Sequence, residues 1–173
     1  MATPSFSLTY LSFHEISRAH QQHLLRQMME SFEKPWADPT YLLHRLLRPS
    51  CRLFLWREDT PNEPAKGVAF VWKESAFLYL DKFFVITEYK QQRIGYPFLT
   101  ALLSSLSVSP SLPLLWRTDA ILATRFYGKH PSVQTIGTCD EYVYQLASTP
   151  RRPWEYEDIA PLLLRGSAFQ NAT

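Results

Sequence analysis

No apolar run in the 173 residues approaches the roughly 18 that a membrane-spanning helix needs. Met1 to Phe13 has neither the basic start nor the continuous apolar core of a secretory signal, so the expected compartment is cytoplasmic. Charge of one sign is also scarce. Lys and Arg number 18 against 16 Asp and Glu, and a formal net charge of +2 gives no electrostatic case for nucleic acid. Arg151-Arg152 reads as a solvated feature rather than a recognition patch. Cys51 and Cys139 stand far apart without metal-type spacing and read as two small buried hydrophobes. His14, His20 and His23 have no carboxylate or cysteine at the spacing that would complete a metal site, so no metal is expected. Repeats and low-complexity tracts are absent.

What is present is the composition of a globular chain, 46% hydrophobic and 20% charged, and its length fits one domain with a sizeable core. Phe6, Leu8 and Tyr10 alternate with polar residues in a first strand, Ser5 to Phe13. His14 to Phe32 predicts a helix with Ile16, Leu24, Leu25, Met28 and Met29 on its apolar face. Pro35 and Pro39 bracket a turn, and Thr40 to Leu47 predicts a second helix. Cys51–Arg57 and Gly67–Lys73 read as strands joined by a Pro-rich turn, and Phe77–Ile86 as a third, which implies an antiparallel meander. Leu114 to Arg117 is a brief strand. Asp119 is placed to cap a helix over Ala120–Tyr127 that Gly128 stops. A closing hairpin, Val133–Ile136 with Tyr142–Leu146, is expected to turn at Gly137-Thr138.

The stretch that organises the chain is Tyr79 to Leu103. A strand passes through polar Thr87–Arg93 into a helix whose stripe is Leu99, Leu102, Leu103 and Leu106, with Pro97 in the first turn. A loop that feeds a helix N-terminus gathers unpaired N–H groups and the positive end of the helix dipole, which suits an anion, above all a phosphate. An ordinary strand–helix connection would look the same. The wording of the loop separates the two readings. Val85-Ile86-Thr87-Glu88-Tyr89-Lys90-Gln91-Gln92-Arg93-Ile94-Gly95 resembles the acyl-CoA loop of the GCN5-related N-acetyltransferases (GNAT), V-x-P-E-Y-R-G-x-G-I-G. Arg93 stands at the first core glycine and Gln91 at an earlier one, so only Gly95 is kept. A side chain at position 93 either obstructs the backbone's approach to a pyrophosphate or pairs with a CoA phosphate.

The resemblance implies a fold class: α/β (α+β), one GNAT-like domain with a central mixed, mostly antiparallel, twisted sheet of about six to seven strands and about four helices. It covers residues 1–149, and residues 150–173 are expected to form a tail with a short helix packed on the domain. It also implies acetyl-CoA as co-substrate, held by Phe84, Val85, Lys90, Gln91, Gln92, Arg93, Ile94 and Gly95.

Within that family the chain is most similar to the acetyltransferase domain of the vertebrate-like and bifunctional N-acetylglutamate synthases. The similarity rests on Tyr79-Leu80-Asp81-Lys82-Phe83, then Leu115-Trp116-Arg117 and Phe126-Tyr127, with Ser31-Phe32-Glu33-Lys34 and Tyr41-Leu42 upstream. It implies Lys34, Tyr79, Lys82 and Arg117 as acceptor-binding residues. It also implies Lys82 and Tyr127 as catalytic, the tyrosine protonating the departing CoA thiolate. Backbone N–H groups near Phe84 and Val85 would stabilise the oxyanion. The general base is left open between Glu88, Asp81 and water.

Each residue also has a plain structural reading. Lys82 is then a solvated edge position, Arg117 pairs with Asp119, and Tyr127 is a core tyrosine. The segment Ile121-Leu122-Ala123-Thr124 lacks the subgroup's asparagines, and Asp119 replaces an arginine. Two functions follow. The first is an acetyl-CoA-dependent N-acetyltransferase acting on a small amino-acid-like, glutamate-like amine. The second is a degenerate GNAT-fold module that binds acyl-CoA or a protein. Neither a membrane nor nucleic acid is expected as a partner, and a homodimer is an expectation by analogy.

Overall fold

A computed structural model describes residues 5–31, 38–60, 63–74, 76–139, 141–150, 153–155, 157–158 and 160. Seven strands, β1 (Phe6–Leu11), β2 (Cys51–Glu58), β3 (Gly67–Lys73), β4 (Leu78–Val85), β5 (Leu114–Thr118), β6 (Val133–Cys139) and β7 (Tyr142–Ala147), lie in the order β1-β2-β3-β4-β5-β7-β6. The sheet is mostly antiparallel, with β4 and β5 parallel. Four α-helices are described: α1 (Arg18–Ser31), α2 (Pro39–Leu46), α3 (Gly95–Ser105) and α4 (Ala120–Arg125). None is long and apolar enough to cross a membrane.

The chain forms two compact units, residues 1–71 with 82–102, and residues 72–81 with 103–173. In the first, strand alternation sends residues to both faces. Leu53, Leu55, Val68, Phe70 and Phe84 meet Leu24 and Met28 of α1 and Leu42 and Leu46 of α2 in one buried cluster. Trp56 and Phe83 turn the other way and stack on Phe98 of α3, with ring centroids 5.7 and 4.5 Å away. Both faces are covered, which is why β2 and β3 read as nearly unbroken apolar runs. In the second unit, Trp72, Phe77, Tyr79, Leu115, Ile136, Tyr144 and Leu146 form the core, with Trp154 packed against it. Its indole N–H reaches Ser148 Oγ at 3.4 Å.

Several boundaries differ from the sequence reading, each for a local reason. The first helix begins at Arg18 rather than His14. A 3-10 turn, Phe13–Glu15, precedes it, and Ser17 then accepts the His20 N–H on its hydroxyl at 3.4 Å, acting as a cap. Pro39 opens α2 instead of a turn, because a proline at N1 loses no intrahelical bond and Asp38 Oδ1 accepts the Tyr41 N–H at 2.7 Å. The fourth helix ends at Arg125, and Tyr127 falls in a 3-10 turn, Tyr127–Lys129. Gly137 and Thr138 lie inside β6, paired with Tyr144 and Val143. The register slips between Thr135 and Gly137, so the glycine serves a bulge at buried Ile136 and the turn falls after Cys139. The expected tail helix falls largely on residues outside those described.

Candidate active site

Strand β4 leads straight into the loop. Phe84 and Ile86 are buried in the core of the first unit, and the Ile86 N–H donates to the Lys66 carbonyl at 2.9 Å, fixing where the strand ends. A 3-10 turn, Thr87–Gln92, follows. Its Tyr89 ring covers the Lys66 ammonium at 4.9 Å, and that ammonium also meets Glu58 Oε1 at 2.9 Å. Buried Ile94 anchors the far end, and the Phe98 N–H returns to its carbonyl at 3.0 Å as α3 begins. Between these anchors, Lys90, Gln91, Gln92 and Arg93 are exposed.

Arg93 itself takes the left-handed conformation, φ 53° and ψ 30°, whereas no glycine in the described chain has a positive φ. The position that the motif gives to glycine thus keeps the glycine-like backbone despite its side chain, and Gly95 is an ordinary first helical residue. The loop presents two exposed cations and the amino end of a helix of 11 residues, a combination suited to phosphate oxygens.

In the same unit, Lys82 Nζ donates to the Tyr41 hydroxyl at 3.2 Å and sits 5.3 Å from that ring's centroid. The Arg45 guanidinium covers the Tyr41 ring at 5.0 Å. Tyr41 therefore organises two cations, which the sequence reading missed. The signal available was Tyr41-Leu42, noted as a motif but not as a partner of Lys82. Lys34 lies outside the described residues.

The second unit holds Tyr79, Arg117 and Tyr127. Strands β4 and β5 pair at Leu78–Leu114 and Tyr79–Leu115, and their register stops there. Arg117 opposes Tyr144 on β7, is hydrogen-bonded to it, and stacks over the Tyr142 ring at 4.7 Å. Burial works against the Arg117 cation, but Tyr79, Tyr144 and Tyr142 around it outweigh that and raise its pKa. Asp119 is not the partner expected for Arg117. Its carboxylate accepts the Leu122 N–H at 2.9 Å as the cap of α4. Tyr142 and Tyr144 were missed because nothing in the sequence says that β7 inserts between β5 and β6.

Tyr127 belongs to a different face of β5. Its ring meets Trp116 at 5.1 Å and Phe126 edge-on at 4.8 Å. Adjacent residues of a strand point to opposite sides, so Leu115 and Arg117 share one face of β5 with Tyr79 of β4 paired beside Leu115, and Trp116 with Tyr127 occupies the other. Burial, and then the Asp119 charge, push the Tyr127 pKa well above the ordinary tyrosine range, so its hydroxyl stays protonated. Among the described residues no group of three or more His, Cys, Asp or Glu side chains is placed to hold a metal ion.

No family model matches the chain, and no curated protein matches its sequence. Solved structures share its fold. Escherichia coli ElaA is 16% identical with a TM-score of 0.60, covering 83% of this chain and 100% of that one. The PaiA N-acetyltransferase of Thermoplasma acidophilum, solved in complex with coenzyme A, is 13% identical with a TM-score of 0.61 over 83% and 99% of the two chains. A candidate acetyltransferase of the GNAT family from Bacteroides thetaiotaomicron is 13% identical with a TM-score of 0.63 over 94% and 98%. At this level of identity the likeness establishes the GNAT-like fold.

Proposed function

We propose that this chain is an acetyl-CoA-dependent N-acetyltransferase acting on a small, amino-acid-like amine. The observation that carries the reading is the left-handed Arg93 between a 3-10 turn and the first turn of α3, in a fold whose PaiA neighbour was solved with coenzyme A. In this reading the diphosphate sits on the backbone N–H groups at the start of α3, flanked by Lys90 and Arg93, and Gln91, Gln92, Ile94 and Gly95 form the rest of the cradle. The thioester lies along the end of β4 near Phe84 and Val85.

The acceptor's amine, deprotonated, attacks the thioester carbonyl in a ternary complex. The new C–N bond forms as the C–S bond breaks, the nitrogen gives up its surplus proton to solvent, and the thiolate takes a proton from Tyr127, which solvent then restores. Arg117, enclosed by three tyrosines, is suited to a carboxylate on the acceptor, with Tyr79 beside it, and Lys82 and Lys34 supply further cations. Glutamate is the acceptor to try first, on the strength of the Tyr79–Phe83 and Trp116-Arg117 motifs. The cytoplasm is the compartment proposed for this chemistry.

Calorimetric titration with acetyl-CoA followed by turnover on an amine panel tests the reading. Micromolar binding and acetyl transfer to an amino acid are expected. Binding weaker than millimolar would sink it and leave a GNAT-fold interaction module, while tight binding with no transfer to glutamate would discard glutamate alone.

A further inference from the structure

A cavity of about 370 Å³ opens between α1, strand β2 and the connection that leads into β3, inside the size range of small-molecule sites, roughly 300–1,000 Å³. None of its lining belongs to the acetyl-transfer machinery proposed above. Leu24 and Leu55, both buried, form an apolar floor. The imidazoles of His20 and His23, one turn apart on α1, stand at the rim with Arg57 and Glu63.

The two charged residues make the case. Arg57 and Glu63 line the same cavity, yet they do not pair with each other, and neither makes an ion pair with any described residue. Arg57 Nε is enclosed without a hydrogen-bond partner. Opposite charges that share a partly enclosed space ordinarily close on one another or are solvated at the surface, and a buried donor is ordinarily satisfied. Unpaired, and lining one cavity together with apolar Leu24 and Leu55, they match a molecule that carries its own separated charges.

We propose that this cavity binds a small zwitterion with an apolar body, of the class of an aliphatic or aromatic α-amino acid. Its carboxylate faces the Arg57 guanidinium, its ammonium faces the Glu63 carboxylate, and its side chain lies on Leu24 and Leu55. His20 and His23 close the rim and donate or accept as the ligand requires. Its lining residues are not among the proposed acetyl-transfer groups, so in this reading its ligand modulates the protein rather than reacting.

The test is calorimetric titration of the full chain with L-leucine, L-methionine and L-phenylalanine, alongside 3-methylbutylamine and 4-methylpentanoate, which keep the leucine body but only one charge each. At least one amino acid should bind saturably. Each one-ended analogue, and each of the variants Arg57→Gln and Glu63→Gln, should weaken leucine-type binding about tenfold or more. No saturable binding by about 10 mM, an analogue that binds as tightly as its parent, or binding indifferent to both substitutions would overturn the proposal. If Arg57→Gln fails to fold, the Glu63→Gln variant on the connecting loop decides. Acetyl-CoA affinity, measured separately, should not change in Glu63→Gln, so this outcome and that for acetyl transfer are read independently.

Discussion

The indole N–H of Trp116 donates to the side-chain oxygen of Gln145 at 3.2 Å, directly across the β5–β7 ladder. The other end of that amide donates to the Ala123 carbonyl at 3.0 Å and to Thr135 Oγ1 at 3.2 Å. One fully buried glutamine therefore ties β5, β6 and α4 together, and with α4 the turn that carries Tyr127. Replacing it by leucine keeps the volume but strands a buried indole donor and a carbonyl. Gln145→Leu should lose roughly 2–6 kcal/mol, at about 1–3 kcal/mol for each of the two unsatisfied groups. Urea unfolding reads this as a lower midpoint with an unchanged slope. A loss under about 1 kcal/mol would mean that water takes over the bonds.

Tyr127→Phe separates an acid from a core ring. The ring contacts with Trp116 and Phe126 survive the substitution, so an acid role predicts a kcat lowered by about 10²–10⁴-fold with KM for acetyl-CoA nearly unchanged. A purely structural role predicts no such split.

The same residue gives a pH prediction. Its folded pKa is raised above the ordinary 10.0 by burial and by Asp119, so above that pH the unfolded chain releases the phenolic proton while the folded chain retains it. The sign follows: stability is full below pH 10.0 and is lost progressively as pH rises beyond it. Thermal melts of the parent and Tyr127→Phe, compared across the alkaline range, should converge or cross there. Parallel curves would show that Tyr127 is not the group responsible.

Arg93→Gly removes a left-handed residue other than glycine, a gain of about 1 kcal/mol in the folded state that the larger entropy of an unfolded glycine largely offsets. Stability should change little. Acetyl-CoA affinity should fall about tenfold, because the backbone already adopts the turn and what is lost is a guanidinium able to pair with phosphate. A rise in affinity would show instead that the side chain obstructs the loop.

Gly67→Ala tests the packing under that loop. An added Cβ would lie 2.7 Å from Phe98 Cδ1 and 3.3 Å from Trp56 Cβ, and Phe98 is fully buried between Trp56 and Phe83. The ring has no space into which to withdraw. A cost of about 1–3 kcal/mol is expected, as for other overpacked cores, together with a weaker grip on acetyl-CoA if α3 shifts.

Element identity was legible because it rests on local periodicity. The alternation of Phe6, Leu8 and Tyr10, the stripe of α1 through Leu24 and Met28, and the passage from strand to helix around Gly95 are all properties of a few neighbouring residues. So was the cap at Asp119, whose spacing to Leu122 is local. Asp38, three residues ahead of Tyr41, was equally local but was overlooked beside the prolines. The turn in the last hairpin was misplaced because Gly137 signals a permissive backbone without saying whether a turn or a bulge uses it.

The order of elements along the chain, the loop that resembles an acyl-CoA loop and the residues to test were therefore contained in the sequence by itself, since each is a pattern over short distances. Pairing was not. That Arg117 lies among Tyr79, Tyr142 and Tyr144 while Tyr127 approaches β5 from the other side, that Tyr41 organises Lys82, and that Arg57 and Glu63 share a cavity without touching depend on strand register and helix docking. Those bring together residues tens of positions apart, and the free energy that selects them is spread over the whole core.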